Sequence, residues 1–170
     1  MLNAKVAELL NQQINKEFYS AYLYLDFSCW FDDQELNGFS NWYMIQAQEE
    51  RDHAMLFLQY LQNNGEKVTL EAIGKPDVAL SDNLTVLQAG LNHERYVTSL
   101  IHAIYEAAYE VRDFRTMQFL DWFVKEQGEE EKTADGLVKK FQLYGGDPKS
   151  LYMLDQEMAA RVYTAPSLTL

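Results

Sequence analysis

Cysteine occurs once in these 170 residues, at Cys29. That excludes an intrachain disulfide and any four-cysteine metal site, and it fits a reducing cytoplasm. Cys29 lies in an apolar stretch and reads as a small core residue. Proline is confined to Pro76, Pro148 and Pro166, so long stretches are free of the strongest helix breaker. No run of about twenty apolar residues exists to cross a membrane, and polar residues interrupt the amino terminus before a signal-like run can form. Basic residues are also few, 14 Lys and Arg against 26 Asp and Glu, for a net charge of -12. A nucleic-acid footprint needs a basic face and is not expected. Cations are the favoured ligands, with a merely solvated acidic surface as the alternative.

What is present is apolar and aromatic surface, 48% and 14% of the residues. The length suits one domain over residues 1–170, and the aromatic content suggests surfaces buried between subunits. Apolar residues recur at helical spacing over about 3–32, where Val6, Leu10, Ile14, Ala21, Leu25 and Ser28 share a face. A short turn follows, so a second helix over about 36–64 should lie antiparallel to the first. Asn64-Gly65 ends it with a left-handed cap. Residues 65–81 carry no helical pattern. Ser81 or Asp82 caps a third helix to about residue 112, with Leu84, Leu87, Leu91, Val97, Ile101 and Tyr105 on one face. Asp113 caps a fourth, over about 114–144, carrying Leu120, Phe123, Ala134, Leu137 and Phe141 inward and stopped by Gly145-Gly146. Asp147-Pro148 opens a short fifth helix to about residue 160, and the tail from Tyr163 to Leu170 should be loose.

A helix of about 28 residues is ~42 Å long, and about 17 extended residues reach ~56 Å. The 65–81 connection can therefore cross the whole bundle and make the second and third helices parallel. The fold class this implies is all-α, a four-helix bundle of two antiparallel hairpins joined by a long crossover, with a short fifth helix. That is the connectivity of ferritin-like folds.

Each long helix carries an acid on its apolar face near its midpoint: Glu17 on the first, Glu50 with His53 on the second, Glu94 on the third, and Glu130 with Gln127 on the fourth. Glu50-x-x-His53 puts a carboxylate and an imidazole one turn apart on one face. Because midpoints coincide whichever way a helix runs, the four sets converge at one height. Buried charges are costly unless paired or bound to metal. Four carboxylates, one imidazole and one amide can hold two divalent ions, and hard oxygen donors with a single nitrogen suit Fe(II) or Mn, with Zn also accommodated.

With these residues in place, the chain resembles a non-haem bacterial ferritin over essentially its whole length. The resemblance is carried by Asn15-Lys16-Glu17-Phe18-Tyr19-Ser20, by Ala47-Gln48-Glu49-Glu50 with His53, and by the run from Glu126 to Lys132. It implies a ferroxidase centre in which Glu17, Glu50 and His53 hold one iron, and Glu94 and Glu130 hold the other with Glu50 bridging. It places Gln127 beside the second iron. A third, weaker iron site falls on Glu49, Glu126 and Glu129 with help from Glu130. Tyr24 matches a tyrosine next to the centre, able to donate an electron or a hydrogen bond, and Trp122 matches a nearby tryptophan. In a bacterioferritin the fourth helix would supply a second histidine and a methionine would follow Glu50, whereas Gln127, Glu130 and Arg51 stand here. No haem is expected, and Met55 does not rescue it. Gln46 replaces a histidine expected in close bacterial relatives.

The function implied is iron storage with ferroxidase activity: Fe(II) is oxidised with O2 and kept as Fe(III) mineral inside a cytoplasmic cage of twenty-four identical subunits. Leu151, Leu154 and Met158 give the fifth helix an apolar stripe for contact between copies. His93 and His102 read as surface or interface residues, and Met117, Met153 and Met158 as packing. Two other readings compete. A rubrerythrin-like di-iron oxidase or peroxidase would want a second Glu-x-x-His and a cysteine-rich domain, and a metal-free helical interaction protein would leave the converging acids without a purpose.

Overall fold

The structure is a computed structural model, which describes residues 2–170. Its regular elements are five helices, α1 (Ala4–Asp33), α2 (Asn37–Asn63), α3 (Asn83–Glu110), α4 (Phe114–Tyr144) and α5 (Pro148–Ala159), with no strand among the described residues. Four of them begin on a side chain that accepts a free backbone N–H of the first turn: Asn3 from Lys5, Asp82 from Thr85, Asp113 from Thr116 and Asp147 from Ser150. The exception is α2, whose first residue follows Leu36, a side chain with no acceptor. Its N-terminus is capped instead from across the chain, where buried Asp155 of α5 accepts from the Phe39 N–H at 3.0 Å.

Two apolar layers show how the helices run. One gathers Leu23, Phe27 and Phe31 of α1, Phe39 and Tyr43 of α2, Val86 and Leu87 of α3, and Leu137 of α4. The other gathers Leu10, Phe57, Leu61, Ile101, Ile104 and Phe119. The amino-terminal halves of α2 and α3 thus share a layer, as do their carboxy-terminal halves, so the two helices are parallel. Residues 64–82 make the crossing between the hairpins. They lie along α1, where Asn11 exchanges two hydrogen bonds with Thr69 and Asn15 donates to the Ala72 carbonyl. The result is a four-helix bundle with a long crossover and a short fifth helix.

Several expectations need correction. Gly65 does take the left-handed conformation at the end of α2, with φ 74°. Gly145 caps the end of α4 as expected, but in the right-handed region, at φ -72°. It is small because the Phe141 ring and carbonyl lie 2.7 Å from where a Cβ would stand. Leu25 and Cys29 are exposed, because Leu23 and Phe27 take the inward face of α1. Leu154 and Met158 are buried in their own chain's first layer, which leaves Tyr152 and Met153 as the large exposed apolar residues of α5. His93 is half-buried, hydrogen-bonded to Ser20 Oγ at 2.7 Å and packed edge-on against Tyr24. The tail is docked: Tyr163 donates to Asp52, Trp122 Nε1 donates to Ser167 Oγ at 3.0 Å, and Leu168 packs against the second layer.

Gly38 shows how tightly α5 is seated. A Cβ there would stand 1.7 Å from the Asp155 backbone oxygen. Helix propensity alone would make Gly38→Ala stabilising by about 1 kcal/mol, but a collision with backbone has no rotamer to relieve it. The expected outcome is a net loss of roughly 2 kcal/mol, within the range of overpacked cores. Thermal unfolding checks this, and an equally stable or more stable variant would mean that α5 does not sit where Asp155 can cap α2.

Candidate metal centre

Between the two apolar layers lies a polar one, built of inward side chains from all four long helices. Gln13, Glu17, Gln46, Glu50, His53, Glu94, Gln127 and Glu130 are all buried. One ligand atom each from Glu17, Glu50 and His53 comes together within 4.8 Å. His53 Nδ1 stands 3.5 Å from Glu50 Oε2, and its ring packs edge-on against Trp122 and Phe123, which fix its plane. Across to the facing hairpin, Tyr24 of α1 donates its hydroxyl proton to Glu94 of α3, and within that hairpin Gln127 Nε2 donates to the Glu94 carbonyl and to Oε2 at 3.2 and 3.3 Å.

Two residues of this layer carry roles that the sequence reading did not give them. Gln13 Nε2 donates to Glu17 Oε1 at 2.8 Å, and Gln46 Nε2 donates to Glu50 Oε1 at 3.1 Å. Each glutamine precedes its glutamate by one helical turn on the same face, so the spacing Gln-x-x-x-Glu on an apolar face was the available signal. The oxygens they leave free are equally informative. Glu17 Oε2 and Gln46 Oε1 are buried without a hydrogen-bond partner, and a buried acceptor left bare costs about 1–3 kcal/mol. A metal ion satisfies such an oxygen. The oxygen-rich donor set with one imidazole fits a hard or borderline divalent ion.

Charge in this layer is unbalanced. Burial pushes Glu17 up to about 8, and the Glu50 carboxylate adds to the shift. Burial and the Glu50 charge likewise raise Glu130 to about 7, and raise Glu94 well above the usual carboxylate range with Glu130 contributing. Burial also raises Glu50, but its hydrogen bond and attraction to His53 outweigh that and hold it below the ordinary value. Burial lowers His53, yet the Glu50 hydrogen bond and the surrounding carboxylates win and lift it to about 10. Without metal, the layer keeps itself nearly neutral by holding protons.

The acids expected to form a third site lie farther out. Glu49 and Glu126 are half-buried and Glu129 is exposed, and together with His53 and Glu130 they line an open cavity of about 330 Å³. Burial raises Glu49 and Glu126. Glu129 is paired with Lys125 at 3.7 Å, and Glu49 with Arg161. Arg161 was not singled out from sequence. Glu131, next in the same acidic run, is half-buried and accepts from Thr98 Oγ1 at 2.6 Å.

These shifts have a measurable sign. An acid with a raised pKa binds its proton more tightly folded than unfolded, so its contribution to stability is lost as pH rises through the window from 4.5 to about 8 for Glu17. His53 adds stability that is fully present below 6.5 and lost as pH climbs toward about 10. Glu50 acts oppositely, but only below its unfolded value of 4.5. Calorimetric unfolding of metal-free protein should therefore show a midpoint that falls as pH rises across the 4.5-to-8 window. Excess Zn(II), which binds the deprotonated ligands, should raise the midpoint more at the upper end of that window than at the lower end. Equal pH slopes with and without zinc would refute a metal-competent cluster.

With this geometry in view, the relatives of the chain become informative. The Ferritin-like domain family matches over residues 7–144. The bacterial non-heme ferritin of Staphylococcus saprophyticus is 35% identical over 163 residues, which cover 96% of this chain and 98% of that one. That of Campylobacter jejuni is 37% identical over 156 residues, 92% and 93% of the two chains. Among solved structures, an Archaeoglobus fulgidus ferritin engineered into a closed form superposes with a TM-score of 0.93 at 41% identity, covering 96% of this chain and all of that one. The open-pore ferritin of the same archaeon gives 0.92, again at 41%, over 95% of this chain. By sequence over nearly its full length, and by the fold that buries these acids, the chain belongs to the ferritin family.

Proposed function

We propose that this chain is an iron-storage protein with ferroxidase activity, a single domain whose bundle centre oxidises Fe(II) and whose assembly keeps the product. The observation that carries this is the convergence of Glu17, Glu50 and His53 in a buried layer where one carboxylate oxygen has no partner. Iron is the substrate of that layer. Glu17 and His53 hold one Fe(II), Glu94 and Glu130 hold the other, and Glu50 lies between them. Each Fe(II) gives up one electron and O2 accepts them. The protons released when the raised carboxylates and His53 take up metal offset the incoming charge. Gln13, Gln46 and Gln127 orient three of the carboxylates by the hydrogen bonds described, an arrangement known to tune metal ligands. Tyr24 fixes Glu94 and stands close enough to supply an electron. Glu49, Glu126 and Glu129 then form an outer position through which Fe(III) leaves the centre.

The assembly we propose is a cytoplasmic cage of twenty-four subunits. Support comes from large apolar side chains left bare on the single chain: Tyr109, Phe114 and Leu143 are 67%, 69% and 75% exposed, positions that contact between copies would cover. No helix among the described residues is long and apolar enough to cross a membrane. The non-storage oxidase and the metal-free interaction protein are less well supported, the first because the fourth helix offers Gln127 and Glu130 rather than a second Glu-x-x-His, the second because of the orphaned Glu17 oxygen.

Aerobic addition of Fe(II) in large excess over metal-free protein tests the storage reading. The Fe(III) formed should stay in solution and sediment with a large assembly; oxidation of only a couple of irons per chain, with the remainder precipitating, would favour the non-storage oxidase. Glu50→Ala should slow the first oxidation by more than the roughly 10- to 100-fold that losing an outer-shell partner costs. Glu129→Ala should leave that first event nearly intact and slow later turnovers. Stopped-flow absorbance separates the two, and equal slowing by both variants would refute the division between inner and outer positions.

A further inference from the structure

We propose that Arg161 is a tethered cation that occupies the outer acid position until metal arrives and thereby sets how readily that position takes up a divalent ion. The proposal rests on the outer-position reading given above. Arg161 follows α5 directly, and its guanidinium pairs with Glu49, the two side chains being only 20% and 16% exposed. It is also held elsewhere: the guanidinium lies 4.1 Å from the Trp42 ring centroid, and Nη1 donates to the Trp42 carbonyl at 3.2 Å. The Arg161 carbonyl in turn accepts from Asn41 Nδ2.

From that anchor the tail crosses the polar layer from one apolar layer to the other. It is pinned at Tyr163 on Asp52, at Ser167 on Trp122, and at Leu168 on the far layer. Pro166 and Ser167 help line the same cavity as Glu49, Glu126 and Glu129. Trp122 packs edge-on against His53, so the tail touches the residue that shields an inner ligand.

The chemistry follows from what Arg161 keeps when it lets go. A divalent ion on Glu49 must displace the guanidinium, since both need the same carboxylate. After displacement the guanidinium retains the Trp42 ring and carbonyl, so exchange costs the ion pair and leaves the strap anchored. Arg161 is thus a positioning residue, competing with metal at Glu49 without touching the inner centre.

Calorimetric titration of the assembled, metal-free protein with Zn(II), which does not change oxidation state, tests this. Wild-type protein should fill the inner positions first and the outer one more weakly. Arg161→Gln should tighten the outer step by about fivefold, the size expected on removing a partly exposed ion pair, and leave the inner steps unchanged. Arg161→Lys, which keeps a charge and serves where the glutamine variant fails to assemble, should stay within about twofold of wild type. An outer affinity that is unchanged or weaker in Arg161→Gln would overturn the proposal, as would inner and outer steps shifting together, the mark of a purely structural strut. Absence of an outer zinc in every variant would overturn the outer-position reading itself. An outer zinc of equal affinity in wild type and Arg161→Gln would overturn only the role of Arg161.

Discussion

The constraint on which the rest of this structure depends is that four carboxylates and one imidazole are buried in the middle of a bundle with too little positive charge to balance them. Burying an unpaired carboxylate is among the costliest things a fold can do. This chain meets the cost in three ways. Apolar layers above and below keep water out and hold the helices at fixed spacing. Amides one turn away satisfy one oxygen of Glu17 and one of Glu50, while Tyr24 and Gln127 satisfy Glu94. Raised pKa values let Glu17 and Glu130 stay protonated when no metal is present. Each device still leaves the Glu17 Oε2 atom bare, and a core selected for stability alone would have placed leucine at these positions.

The length of the helices follows from the same constraint. A polar layer in the centre needs a complete apolar layer on each side, and every long helix here contributes buried apolar residues to both. Shorter helices would expose the acids at an end. The long crossover lets α2 and α3 run parallel, which brings Glu50 and Glu94 to one level together with the halves of α1 and α4 that carry Glu17 and Glu130. The far end is closed by α5, whose Asp155 caps α2 and whose Leu154 and Met158 complete the first layer.

Much of this was legible in the sequence, because the features involved are periodic or local. Helical spacing of apolar residues, three aspartate caps and a glycine at the end of α2 act within a few residues of themselves. An acid on an apolar face stands out because the physics penalises it. What stayed hidden depends on partners distant in the chain. Gly38 is small because of Asp155, and Arg161 matters because of Glu49, and neither partner is visible from local pattern. Cys29 and Leu25 were misplaced for a milder reason: α1 has bulky residues on more than one face, so periodicity alone could not say that Leu23 and Phe27 rather than Leu25 and Cys29 would face inward. The glutamines escaped because an inward amide carries no charge to draw attention, although its position one turn before a buried glutamate gives it a role.

The two acid clusters solve one electrostatic problem differently, and the difference bears on how they respond to metal. In the inner layer the neutralising agent is the proton, which is small, leaves no steric trace, and departs to solvent when a metal ion takes its place. Uptake there is therefore coupled to pH and needs little movement of side chains already aligned by Gln13, Gln46 and Tyr24. At Glu49 the neutralising agent is a guanidinium fixed to the chain, insensitive to pH in any accessible range, and it can yield only by moving. On the proposed reading, uptake there is coupled to the position of the tail, which touches both apolar layers. The two positions therefore differ in kind: a metal ion displaces protons in the inner layer and must displace a fixed guanidinium at Glu49.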